Sequence, residues 1–177
     1  MNRECRVFSL SGLPVSIVPG FIVGTGLTIL ALAAIGLFAL GFGLIPALAA
    51  AFAATALMWL SELFHQLGHA VAARGTGHPM IAITLGRYFI LGTSVYPADE
   101  GELPPAVHIR RALGGPIASL IVSVLALPIA LALQPAGGAP FAVAAFVFGL
   151  NFFAYTLQIA LPLRFNDGEV LWKYLRR

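Results

Sequence analysis

The sequence predicts an all-α integral membrane protein with about four transmembrane helices and a short hairpin or re-entrant segment between the second and third. Its 177 residues are 59% hydrophobic and only 10% charged, with a mean hydropathy of +0.93. A soluble domain would carry about 25% charged residues. No charged residue occurs between positions 7 and 61, a stretch long enough for two spans of about 20 residues each. We expect one domain over residues 1–177.

The first two spans come from this uncharged stretch. The first is expected at about residues 16–40, and the glycines and the proline of segment 41–46 turn the chain back. The second is expected at about residues 46–73, because proline is well tolerated in the first turn of a helix. These two spans therefore form an antiparallel pair.

Two further spans follow a longer segment of mixed polarity. Residues 112–133 and 141–163 are apolar, and the proline and glycine residues of 134–140 separate them. Residues 74–111, between the second and third spans, are too many for a tight turn. Within that segment, β-branched and aromatic residues at 81–91 are bounded by glycines, which indicates a short hairpin or a re-entrant segment.

The basic residues predict the orientation in the membrane. In the four-span arrangement, all ten lysines and arginines fall on the side that holds both termini and segment 74–111. By the positive-inside rule, both termini are expected in the cytoplasm, and the membrane is expected to be a bacterial or archaeal inner membrane. Basic residues beside a membrane match an anionic lipid surface. Membrane lipid is therefore an expected partner, and nucleic acid is not.

The second span carries two histidines with metal-binding spacing. His65 and His69 are four residues apart, so they project from one helix face, as in the zinc-peptidase signature H-E-x-x-H. The residue after the first histidine is normally the glutamate that acts as the general base, but here it is Gln66. An amide can orient a water but does not take its proton at neutral pH. Because Cys5 is the single cysteine, a zinc ion would need nitrogen and oxygen ligands.

Glu62 lies one turn before His65 on the same helix face. It could act as a substitute base through a water, accept a hydrogen bond from a histidine ring, or be a buried, protonated carboxyl bonded to a neighbouring helix. Its carboxylate starts a full turn away from Gln66, which favours the last two roles. A polar cluster within a membrane span is expensive and is by default functional.

Three motifs together resemble the site-2 protease family of membrane-embedded zinc metalloproteases. Residues 65–70 read HQLGHA and look like H-E-L-G-H-A of that family. Residues 112–119 read ALGGPIAS and are similar to A-x-A-G-P-x-x-N. Residues 161–171 read LPLRFNDGEVL and resemble L-P-x-x-x-L-D-G-G-x-x-L. The motifs occur in the order that the family has.

The resemblance implies the role of several residues. Asp167 would be the third zinc ligand beside His65 and His69, and it follows the fourth span on the same side of the membrane as His69. Three protein ligands leave one coordination position open for water, as a catalytic zinc requires. The resemblance also implies that substrate backbone is bound by residues of the second motif, namely Gly115, Pro116 and Ser119.

The sequence departs from the family at four positions. Besides Gln66, Ser119 replaces an asparagine, Asn166 a leucine and Glu169 a glycine. The implied function is an intramembrane zinc metalloprotease that cleaves transmembrane segments near the cytoplasmic face, inactive or nearly so as written. The alternative is a natural pseudoprotease that binds membrane helices or serves as a structural subunit of a larger complex. The sequence leaves open whether Gln66 is natural or engineered.

Overall fold

The computed structural model describes residues 4–164 and 166–176. Arg3 and Arg177, which contribute to the predicted charge asymmetry, lie outside the described residues, as does Phe165 of the third motif. In the described part of the chain, four helices are long and apolar enough to cross a membrane: Pro19–Ala39, Leu44–Gly75, Pro105–Leu133 and Gly138–Ala160. The predicted number of spans is therefore confirmed at the level of helix length and composition.

Several helices differ from their predicted bounds. Helix α1 is Pro19–Ala34 and continues into a π-helical segment, Ile35–Ala39, while α2 is Leu44–Gly75. Helix α3, Pro105–Leu133, begins before the predicted position 112 because its first two turns are too polar to be recognised from hydropathy. The fourth span consists of α4, Gly138–Gly149, a π-helical segment, Leu150–Thr156, and a 3-10 turn, Leu157–Ala160; helix α5, Asp167–Leu175, follows it.

A four-stranded sheet corrects the all-α prediction. Its strands are β1, Cys5–Leu10, β2, Leu13–Ile17, β3, Ala82–Tyr88, and β4, Leu91–Val95, in the spatial order β1-β2-β3-β4. The hairpin predicted between the second and third spans is β3 and β4, which pair antiparallel. The β1–β2 hairpin was missed because its apolar residues run without a break into α1. For the same reason the first span begins at Pro19 rather than near residue 16.

The sheet packs against the middle and the end of α2. Val15 of β2 and Ile83 of β3 are fully buried, and they belong to one core cluster with Met58 and Trp59 of α2. The parallel pairing of β2 with β3 brings the two hairpins, far apart in sequence, into one sheet. The sheet therefore lies beside the part of α2 that carries the two histidines.

Helices α2 and α3 cross at two glycines. A Cβ atom on Gly68 would meet the carbonyl oxygen of Gly114, and one on Gly114 would meet the carbonyl oxygen of Gly68. Small residues at a crossing let membrane helices approach until their backbones touch. The crossing lies one residue from His69, so it brings α3 against the face of α2 on which the histidines project.

Candidate metal centre

The three residues predicted to be metal ligands lie together. The Nε2 atoms of His65 and His69 are 3.1 Å apart. The carboxylate of Asp167 is 3.2 Å from the first of these nitrogens and 3.3 Å from the second. One possible ligand atom from each residue lies within 4.8 Å of the other two. Helix α2 supplies both buried histidines, and the first residue of α5 supplies the aspartate.

Hydrogen bonds orient both imidazole rings. His69 Nδ1 lies 2.7 Å from the backbone oxygen of Arg111. Because a carbonyl oxygen only accepts, Nδ1 carries the proton, and in the neutral ring the lone pair is on Nε2. His65 Nδ1 lies 2.9 Å from the hydroxyl of Ser119. In each ring, the nitrogen that faces Asp167 is thus the one left for a metal, an arrangement common among metal-binding histidines.

The residues fit a zinc ion. Two imidazole nitrogens and a carboxylate oxygen are ordinary zinc ligands, and neighbouring ligands of a tetrahedral zinc are about 3.3 Å apart for bonds of about 2.0 to 2.1 Å. The separation of 3.1 Å between the histidine nitrogens is close to that value. A Cβ atom on Gly115 would meet both nitrogens, so this glycine keeps the space in front of them open.

The surroundings of Asp167 also favour a positive charge between the ligands. Burial by itself raises the pKa of this carboxyl, but the charge on His69 and hydrogen bonds from both histidines hold the pKa below its ordinary value. The lowered pKa favours the ionised carboxylate, which is the form that binds a metal. Without a proton or a cation, its oxygens and the two Nε2 lone pairs would repel one another.

Both polar atoms of the Gln66 side-chain amide form hydrogen bonds. Its Nε2 donates to Glu62 Oε1 at 2.9 Å, and its Oε1 accepts from the hydroxyl of Ser94 at 2.8 Å. The backbone N–H of Gly92 donates to the same oxygen of Glu62 at 2.8 Å. Glu62 thus joins α2 to strand β4 and accepts from these groups rather than from a histidine.

The three residues that were expected to bind substrate backbone are buried and do not lie on an open surface. Ser119 is fully buried, and its hydroxyl contacts His65. Gly115 lies against the histidine nitrogens, and the Pro116 carbonyl accepts a 3.4 Å hydrogen bond from Thr156. None of the three lines the cavity that leads to the ligands. Their positions suit a supporting role at the metal site. Their role in substrate binding remains a prediction.

A cavity of about 510 Å³ opens onto the three ligands. Sequence reasoning had identified Glu62 and Gln66 in its wall but missed other polar side chains, among them Ser94, Tyr96, His108, Arg111 and Tyr155. A tyrosine inside an apolar span is a signal that could have identified Tyr155. The others lie in or next to the polar segment 74–111, where composition alone does not distinguish a wall of the site from a solvated loop.

Arg111 joins this segment to the metal ligands. Its guanidinium group donates to both carboxylate oxygens of Glu100, at 2.9 and 2.5 Å, and to the carbonyl of His78 at 2.6 Å. It also lies 4.0 Å from the centre of the Tyr96 ring. The hydrogen bond from Arg111 lowers the pKa of Glu100, whereas burial raises the pKa of Tyr96. Arg111 therefore connects the loop to His69, because its side chain binds Glu100 and its carbonyl oxygen accepts from the His69 ring.

Comparison with known proteins identifies the architecture. No family model matches the sequence, and no curated protein matches it. Among solved structures, the chain is similar to the site-2 protease from Methanocaldococcus jannaschii, with a TM-score of 0.66 and 18% identity, over 98% of this chain and 72% of that chain. At this level of identity the similarity establishes the fold. The architecture that the three motifs imply is therefore confirmed.

Proposed function

We propose that this chain is an intramembrane zinc metalloprotease of the site-2 type, inactive or nearly so as written. Its chemistry is cleavage of a transmembrane segment near the cytoplasmic face of a bacterial or archaeal inner membrane, carried out by one domain over residues 1–177. The observation that carries this proposal is the convergence of His65, His69 and Asp167 at the end of an open cavity, on a site-2 protease fold.

Each part of the site has a definite role in this proposal. His65, His69 and Asp167 would hold zinc, which would polarise a substrate carbonyl and lower the pKa of a water when bound. Ser119 and the carbonyl of Arg111 keep the two imidazoles turned toward Asp167. Gly115 leaves room for an ion, because a Cβ atom there would meet both histidine nitrogens.

In this proposal, Gln66 is the reason that the chain is inactive or nearly so. The position after the first histidine is where the signature places the base, but an amide does not accept a proton at neutral pH. Both ends of this amide are also occupied, by Glu62 and by Ser94. Glu62 is poorly placed to replace the base, because it starts one turn before Gln66 and its Oε1 already accepts from Gln66 and from strand β4.

The same hydrogen bonds favour a second candidate function, that of a pseudoprotease. The amide of Gln66 supplies an N–H donor to the Glu62 carboxylate, and an ionised glutamate at position 66 would not. A glutamate there would place a second carboxylate at 2.9 Å from Glu62, and two carboxylates that close cannot both be ionised without a large cost. A chain whose neighbouring residues suit the amide would bind a membrane helix, as a subunit of a larger complex, without cutting it.

An exchange of the two side chains tests both candidates. Gln66→Glu alone creates the unfavourable carboxylate pair, whereas Gln66→Glu combined with Glu62→Gln keeps one carboxylate and one amide and moves the carboxylate to the position of the base. A positioned base is worth about 10² to 10⁴ in rate. We expect cleavage to rise by about that factor in the double variant and by less in the single one.

The measurement is cleavage of a single-span membrane substrate, reconstituted with purified protein and zinc. A substrate that an active relative cuts is the suitable probe. Glu62→Gln alone and the double variant with His69→Ala are the controls, and both should be inactive. If the double variant binds zinc but leaves the substrate whole, the protease proposal fails and the pseudoprotease takes its place.

A further inference from the structure

A second cavity, of about 530 Å³, lies on the outer surface between α2 and α3. Among the described residues, it shares no lining residue with the cavity at the metal site. Its walls are apolar, with Phe64, Leu67 and Val71 on α2 and Ile117, Ala118 and Ile121 on α3. Val71 is 70% exposed and Ile117 is 54% exposed, so this groove opens toward the lipid.

One end of the groove is basic. Arg74 and Ser11 line that end, and Arg74 Nη2 donates to the Ser11 carbonyl at 2.7 Å. This bond occupies one of the five N–H donors of the guanidinium group. Arg74 is exposed and lies in the last turn of α2, where a membrane helix reaches the headgroup region.

Helical periodicity places a second arginine near the same end. Arg110 is exposed and precedes the lining residue Gly114 by four residues, so it lies on the same face of α3, one turn beyond the residues that line the groove. The contact of Gly68 with Gly114 and the contact of His65 with Ser119 show that α2 and α3 run antiparallel. Arg110 is therefore about level with Ala72, on the order of 3 Å along the helix axis from Arg74.

The length of the groove matches one leaflet of a bilayer. At about 1.5 Å per residue, the α2 wall from Phe64 to Arg74 is about 15 Å long, and the α3 wall from Arg110 to Ile121 is about 16 Å long. The hydrocarbon core of a bilayer is about 30 Å thick. The groove thus extends from the headgroup region to about the middle of the membrane, as an acyl chain does.

The walls of the groove suit a hydrocarbon chain. Apart from Ser11 and Arg74 at one end, every residue that lines it is apolar or glycine. An acyl chain needs no polar partner along its length, so it can lie against these walls without leaving a hydrogen-bonding group unpaired.

We propose that this groove is a binding site for an anionic phospholipid. An acyl chain lies between α2 and α3, and the phosphate group is bound by Arg74 and Arg110. Basic residues next to membrane helices attract anionic lipids by about 1 kcal/mol each, which corresponds to about fivefold in affinity. An apolar groove of one leaflet's depth with two arginines at its headgroup end accommodates both parts of such a lipid.

Native mass spectrometry of the protein in detergent, titrated with phosphatidylglycerol or phosphatidylcholine, tests this proposal. We expect one phosphatidylglycerol to bind more tightly than phosphatidylcholine. Arg74→Ala and Arg110→Ala should each weaken that binding about fivefold, and the double variant should weaken it further. Arg176→Ala removes the same charge at the other end of the described chain, near Trp172, and should have little effect.

A variant that fills the groove distinguishes the contribution of the acyl chain to binding from that of the headgroup. Val71→Trp keeps both arginines and should weaken binding of both lipids, and its melting temperature in detergent checks that it folds. Equal binding of the two lipids, an Arg176→Ala effect as large as that of Arg74→Ala, or unchanged binding by Val71→Trp would each overturn the site. Specific cross-linking of two chains through Val71→Cys would assign the groove to a second copy instead.

Discussion

Ser119 illustrates how a single residue changes what a motif does. The resemblance predicts substrate contacts at this position, where the family has the longer asparagine. The serine is fully buried, and its hydroxyl lies 2.9 Å from His65 Nδ1. A short side chain reaches the ring beside it but not the cavity, so the position is suited to orienting a metal ligand. Such supporting contacts are typically worth 10- to 100-fold in metal affinity.

Zinc content should depend on these residues in a graded way. We expect about one zinc per chain after purification without chelators, with most of it lost in His65→Ala and Asp167→Ala because each removes one of three ligands. Ser119→Ala should weaken zinc binding by about 10- to 100-fold. Gln66→Ala removes no ligand and should keep the zinc. Elemental analysis of each purified variant measures these values; zinc that survives the loss of His65 would contradict the site.

At the scale of elements, helix α5 and strand β4 supply residues of the site that the long helices do not provide. Helix α5 presents Asp167 at its first residue, and the side chain of Asn166 accepts from the Glu169 N–H at 3.1 Å to cap that helix. Strand β4 supplies Ser94 and Gly92, which hold Gln66 and Glu62. The orientation of α2 side chains thus depends on a hairpin that is distant in sequence.

The loop before α3 should make stability depend on pH. The pKa of Glu100 is held below its ordinary value by the hydrogen bond from Arg111, so the carboxylate is stabilised in the folded state. Its contribution is fully present above the unfolded pKa of about 4.3 and is lost as pH falls through the lower, folded value. We therefore expect Glu100→Gln to lower the melting temperature at pH 7 and to have a smaller effect as the pH falls below about 4.

Thermal unfolding in detergent, measured from pH 7 to pH 3, gives this difference directly. Asp99→Asn is the matched control, because it removes an exposed charge from the neighbouring position of the same loop. It should change the melting temperature little at any pH. An effect of Glu100→Gln that is the same at pH 7 and at pH 3 would show that the ion pair with Arg111 is not its cause.

At the scale of the whole molecule, hydropathy and charge point to one arrangement. Four apolar helices bring both ends of the chain to the same side, and the two hairpins of the sheet flank α1 and α2 on that side. The ligands lie toward the same side, because His69 is in the last two turns of α2 and Asp167 follows the fourth span. In the proposed function, a substrate would therefore not have to cross the whole bilayer to reach the site.

Cysteine labelling in cells should show this arrangement. An impermeant thiol reagent should reach Cys5 only after the inner membrane is opened, and the same should hold for Lys173→Cys in a Cys5→Ser background. Ala136→Cys in that background lies in the loop between the third and fourth spans and should react with intact cells. The positive-inside rule is the physical reason. Opposite results for Cys5 and Lys173→Cys would rule out an even number of spans.

Membrane character, the number of spans and the histidine pair could all be predicted from the sequence. Each is a local property: hydropathy is summed over about 20 neighbouring residues, and the four-residue spacing of His65 and His69 sets their common helix face. Asp167, the proposed third ligand, was predicted from a motif together with the end of a span. In the structure its carboxylate lies 3.2 Å from His65.

Only the tertiary structure decided the partners of these residues. The sheet depends on parallel pairing between β2 and β3, and two segments so far apart in a sequence this rich in apolar residues carry no signal that they pair. Ser119 reaches His65 from 54 residues away, and Ser94 reaches Gln66 from 28 residues away. Hydrogen bonds between residues so distant are set by how the helices and the hairpin pack. Spacing therefore predicted the histidine pair, the resemblance of a motif predicted Asp167, and packing determined what orients these side chains.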